Sequence, residues 1–173
     1  MRNTLVLTVL APDRTGLVEL LAERIAAAGG NWEESRMARL AGQFAGILLV
    51  TCDAARSDAL AAAVRDLGSA GIQVTARPAA RNAAPLEQRG TRVRLDLTGA
   101  DRPGIIRDVS RVLAERGINV EELESAIVSA PMSGEPMFTA HASLVIPRGF
   151  ALSELRAGLE ALAGELMVDL ASD

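Results

Sequence analysis

Apolar positions along the chain follow two rhythms, one of period two and one near 3.6, and they succeed each other in the same order twice. The apolar stretch 5–10 and its counterpart 93–98 predict strands. Residues at helical spacing follow each: Leu17, Leu20, Leu21, Ile25 and Ala28 in the first case, Ile105, Val109, Val112 and Leu113 in the second. Gly29 and Gly117 stand where these helices stop. Segments 31–40 and 44–52, with Gly42 between them, predict a strand hairpin. Segments 119–129 and 138–146 predict another, joined through the longer connection 130–137. A second helix is predicted over 57–68 and its partner over 152–163, with last strands over 72–77 and 166–170. The order is βαββαβ twice. In about 80 residues that order is the α+β, ferredoxin-like arrangement, a four-stranded antiparallel sheet with two helices on one face.

Strict alternation assigns faces to the third strands. Phe138, Ala140, Ala142, Leu144 and Ile146 share one side, and Thr139, His141 and Ser143 the other. Only one side meets the helices, so His141 is expected on the open face of its sheet. In the first copy Phe44, Leu48, Val50 and Cys52 form the inner set, but the opposite set, Ala45, Ile47 and Leu49, is apolar too. An apolar open face calls for a cover, and a homodimer is the simplest expectation.

Polar residues repeat as well. Asp13-Arg14-Thr15-Gly16 recurs as Asp101-Arg102-Pro103-Gly104, 88 residues later. The same offset places Gly29 on Gly117, Asn31 on Asn119 and Glu33-Glu34 on Glu121-Glu122. Two copies are too few for a solenoid, so the repeat predicts two similar domains, 1–77 and 91–173. The stretch 78–90 between them, with alanines, Pro85 and mixed charge, has the composition of a linker.

Composition narrows the chemistry. The chain has 173 residues, 49% hydrophobic and 23% charged, which is globular. Aromatics are 2%, too few for a base-stacking platform, and the net charge of −4 argues against direct nucleic-acid binding. All 18 basic residues are Arg, so Schiff-base chemistry, pyridoxal phosphate attachment and a P-loop lysine are excluded. One Cys and one His allow neither an intrachain disulfide nor a zinc site, and no metal or cofactor is expected. The N-terminal apolar run is followed by Asp13 and Arg14 where a signal peptide would be cleaved, and no apolar stretch approaches the length of a membrane span. A cytoplasmic protein with no membrane partner is the expectation.

The repeated turn is the candidate site. It leads from a strand into a helix whose first backbone N–H groups have no helical acceptor, and these donors sit at the positive end of the helix dipole. Gly16 and Gly104 allow a ligand close to the backbone. Asp13 and Asp101 offer acceptors for an ammonium, and Asn31 and Asn119, opening the neighbouring strand, offer amides. The set suits a small amino acid whose carboxylate meets the N–H groups at Gly104 and Ile105. A purely structural alternative has each Asp capping its helix and Pro103 in the helix's first turn. Other motifs fail. The spacing of Gly99 to Gly104 resembles a P-loop, but Ile105 and Ile106 replace the lysine and hydroxyl. His141 has Ser143 nearby but no evident orienting acid, and no catalytic group is assigned. Glu33-Glu34 and Glu121-Glu122 are adjacent on strands, so each pair is expected to diverge.

The paired Asp-Arg-Thr/Pro-Gly turns, the glycine-x-asparagine steps and the doubled βαββαβ order resemble tandem ACT domains over almost the whole chain. The long second hairpin, Ala130-Pro131-Met132-Ser133-Gly134-Glu135-Pro136-Met137-Phe138, is similar to the glycine cleavage system transcriptional repressor group. The resemblance implies a regulatory protein, not an enzyme, that binds an amino acid and signals through a protein partner such as a transcription activator. It puts glycine or serine first as ligands and carries ligand contacts to Asp13, Arg14, Gly16, Asn31, Asp101, Arg102, Gly104 and Asn119. Thr15 and Gly30-Asn31-Trp32 in the first copy differ from Pro103 and Ile118-Asn119-Val120 in the second, so the resemblance does not require the two sites to be equivalent. Two alternatives remain: a free regulatory subunit of an amino-acid metabolic enzyme, and an acylphosphatase-type hydrolase using Arg14 or Arg102 beside Asn31 or Asn119.

Overall fold

Period two and period 3.6 resolve into sheets and helices in the predicted order. The computed structural model describes residues 1–80, 90–131, 133–162 and 166–172. Most of the predicted linker 78–90, Met132 in the long hairpin connection and residue 163 lie outside the described residues, while the helix predicted over 152–163 ends at Glu160 and turns at 161–162. The chain divides into two units, Met1–Asn82 and Ala83–Asp173.

The first unit comprises β1 (Arg2–Pro12), α1 (Leu17–Ala27), β2 (Asn31–Leu40), β3 (Gln43–Asp53), α2 (Ser57–Arg65) and β4 (Gln73–Pro78). The second comprises β5 (Thr91–Ala100), α3 (Ile105–Glu115), β6 (Asn119–Ser129), β7 (Pro136–Ile146), α4 (Leu152–Glu160) and β8 (Met167–Ser172). Both sheets are antiparallel, in the orders β2-β3-β1-β4 and β6-β7-β5-β8. α2 is shorter than the predicted 57–68: its last residues, Asp66–Ala70, tighten into a 3-10 turn around Gly68 that closes at Gly71.

Hydrophobic burial fixes which face each sheet turns inward. Leu5, Leu7 and Val9 of β1 pack with Leu17, Leu21 and Ile25 of α1 and Leu60 and Val64 of α2. In the second unit Val93, Leu95 and Leu97 pack with Ile105, Val109, Val112, Leu113, Leu155 and Leu159. Each such side chain, taken fully out of water, contributes about 1.5–3 kcal/mol before conformational entropy is counted. The predicted inner set of β7, from Phe138 to Ile146, is buried throughout, as is Cys52. His141 is exposed on the open face. In the first unit that face is apolar, with Ile47 52% and Leu10 44% exposed. No helix among the described residues is long and apolar enough to cross a membrane.

Candidate functional site

Both predicted turns have one backbone form. Gly16 (φ 89°, ψ 0°) and Gly104 (φ 90°, ψ 5°) are the N-caps of α1 and α3, in the left-handed region that a side chain with Cβ resists. Neither helix start has a side-chain cap. This corrects the capping alternative: the cap is glycine, the aspartates do not cap, and Pro103 precedes the helix instead of lying in its first turn. The first helical bonds run from the Leu20 N–H to the Gly16 carbonyl and from the Asp108 N–H to the Gly104 carbonyl, both 3.0 Å. The N–H groups of residues 17–19 and 105–107, Ile105 included, therefore precede the helical ladder and point out of the helix end.

Hairpin tips hold the turns in place. The Asp13 N–H donates to the Gly42 carbonyl at 2.8 Å, and the Asp101 N–H to the Pro136 carbonyl at 3.1 Å. Beyond that frame the units differ. In the first, Asp13 is ion-paired with Arg39 of β2, and Arg14 Nη2 donates to the Ala70 carbonyl at 2.8 Å. Asp13 already has its cation. In the second, Arg102 Nη1 donates to Asp108 Oδ2 at 3.0 Å and Arg107 Nε to Asp108 Oδ1 at 3.1 Å. These guanidinium bonds, that of Arg102 foremost, hold the Asp108 carboxyl below its ordinary pKa. Arg107 also lies over the turn, its Nη2 3.0 Å from where a Cβ on Gly104 would stand. Asp101 is exposed. Arg107 and Asp108 were not picked out in the sequence; their position one turn inside a helix that starts at Gly104 is the signal that could have found them.

Asn31 and Asn119 are not at the turns. Asn31 pairs with Thr51, which pairs with Thr4 near the start of β1, whereas the turn follows Pro12 at its end. Asn119 pairs with Val145 and, beyond it, Arg92 at the start of β5. The turn and the asparagine thus occupy opposite ends of an eleven-residue helix, about 16 Å apart along its axis. Within one unit Asn119 and the N–H groups of Ile105 do not converge on one small ligand. Nor does either unit place an arginine of the turn beside an asparagine on a strand, the juxtaposition that acyl phosphate hydrolysis by this route needs.

Two further expectations change. Strand register shifts between Trp32 and Glu34 and between Val120 and Glu122, so Glu33 and Glu121 are bulged residues. Glu33 accepts a bond from Thr51 Oγ1 at 2.7 Å on the open side of the sheet, and Glu34 pairs with Leu49 on that same side. The bulge cancels the divergence expected of adjacent strand residues. Even so, no group of three or more His, Cys, Asp or Glu among the described residues could hold a metal ion. His141 does have an acid: its Nδ1 meets Asp96 Oδ1, a contact made by the β5–β7 register, and that bond is the main cause of the lowered Asp96 pKa.

Comparison with known proteins matches both units to one family. Models described as ACT domain match residues 3–76 and 93–143, together more than half of the chain. No curated protein matches. A crystal structure of a protein of unknown role from Galdieria sulphuraria is similar at 28% identity and a TM-score of 0.86, covering 100% of this chain and 99% of that one. A protein provisionally named a glycine cleavage system transcriptional repressor is similar in fold at 17% identity and a TM-score of 0.70, covering 100% of this chain and 99% of that one.

Proposed function

The chain belongs to the ACT-domain family, and on that premise we propose that it is an amino-acid-responsive regulatory protein, not an enzyme, that acts in the cytoplasm as a homodimer through contact with a protein partner. The observation that carries this reading is the duplicated turn: two helices 88 residues apart begin at a left-handed glycine with no side-chain cap, leaving a cluster of N–H donors shaped for a carboxylate. The second unit is the occupied one. There the ligand carboxylate meets the N–H groups at Gly104 and Ile105 with Arg107 alongside, and its ammonium meets the exposed Asp101. In the first unit the equivalent Asp13 is neutralised by Arg39. Asn119 takes no part in the same ligand, being at the other end of α3.

Glycine and serine come first as ligands because the family resemblance puts them first. The partner is a transcription activator of glycine cleavage, a role supported by the resemblance of the long 130–138 hairpin. Direct DNA binding is disfavoured by the net charge of −4. Calorimetry with a panel of amino acids tests the reading. Glycine or serine is expected to give saturable heat that Asp101→Ala weakens by about one to two orders of magnitude, the consequence of losing one charge-assisted bond of roughly 1.5–3 kcal/mol. Absence of heat from every amino acid at millimolar concentration contradicts it.

A further inference from the structure

The two open sheet faces differ in kind. In the second unit the face carries Arg92, paired with Glu121, and Arg94, Asp96 and His141, linked by the Arg94–Asp96 and His141–Asp96 contacts. Such a face suits water. In the first unit the strand registers align Glu34, Leu49, Val6 and Arg77 in one row across the sheet. Arg36, Ile47, Thr8 and Thr75 form the next row. A shallow depression of about 200 Å³ lies over Val6, Ile47 and Leu49, with Glu34 and Arg36 at its rim.

We infer that the same face of a second copy covers this one, sheet on sheet. The row Glu34, Leu49, Val6, Arg77 has an acid at one end, a base at the other and apolar side chains between. Turned about a two-fold axis parallel to the strands it is its own complement. Glu34 of each copy then stands opposite Arg77 of the other, and Leu49 opposite Val6. In the next row Ile47 stands opposite Thr8, whose hydroxyl is bonded to that of Thr75. Neither row opposes like charges. Three strands of about ten residues and β4 of six, about 4.8 Å apart with about 3.3 Å per residue, give roughly 570 Å² per copy, or about 1,100 Å² in all, just above the roughly 1,000 Å² that a specific interface needs. The inference rests on the proposed homodimer for its occupant and adds the face and its pairing.

Sedimentation equilibrium of the full chain at micromolar concentration tests it. The wild type is expected to be dimeric, and Leu49→Asp monomeric with an unchanged far-ultraviolet dichroism spectrum. Glu34→Arg and Arg77→Glu alone are each expected to weaken the dimer about ten-fold, and the double variant to restore it. These charge exchanges lie at exposed positions, so they test the face even if Leu49→Asp fails to fold. A dimer indifferent to all of these changes overturns the face while leaving the homodimer standing. A monomeric wild type overturns both, and calorimetric binding of glycine by that monomer would leave the amino-acid reading intact.

Discussion

Arg102 Nη1 lies 3.0 Å from Asp108 Oδ2, tying the turn before α3 to the first turn of the helix it starts. With Arg107 on the other carboxylate oxygen, Asp108 is the electrostatic anchor of the candidate site. Its folded pKa lies below the ordinary 3.8. The sign follows: its stabilisation is fully present above the unfolded value and is lost as pH falls through the folded one. Thermal melts from pH 6 down to about pH 2 are expected to fall less steeply for Asp108→Asn than for the wild type. Parallel pH profiles would contradict the anchor.

The two cap glycines separate a backbone effect from a contact effect. A Cβ at Gly16 meets nothing within 4 Å, so Gly16→Ala is expected to cost only the left-handed conformation, about 1–2 kcal/mol. Gly104→Ala must also displace the Arg107 guanidinium, whose Nη2 lies 3.0 Å from the added Cβ, and is expected to cost at least as much. Urea denaturation of both variants measures the difference. A Gly104→Ala variant as stable as wild type would refute the backbone assignment.

Ala41 is the one residue other than glycine with positive φ among the described residues, at 49°, followed by Gly42 at 78°. Two positive φ values between β2 and β3 are the signature of a type I′ turn, which favours Asn-Gly. Ala41→Asn is expected to stabilise the first unit by about 0.5–1 kcal/mol, read as a raised urea midpoint with an unchanged slope. Because Gly42 also holds the Asp13 N–H, the same change steadies the first turn.

The elements were legible because burial imposes its period directly on the sequence, as in the inner set Phe138 to Ile146. The end of α2 was less so, since a helix tightens into a 3-10 turn over Asp66–Ala70 without any change in apolar spacing. Bulges at Glu33 and Glu121 were invisible: an extra residue in one strand changes facing without changing composition. His141 and Asp96 are 45 residues apart, and only the β5–β7 register joins them. The asparagines misled for a related reason. They recur with the turn at one offset, yet α1 and α3 carry the chain to the far end of the sheet before either asparagine is reached.

The central claim is that an amino acid docks on the start of α3, and backbone amide chemical shifts measure this most directly. Titration of the isotope-labelled protein with glycine, and separately with serine, is expected to move the amides of Gly104, Ile105 and Arg107 in a saturable way. Asn119 is expected to remain still. Shifts centred on Asn119, or none at any residue at millimolar ligand, would contradict the account.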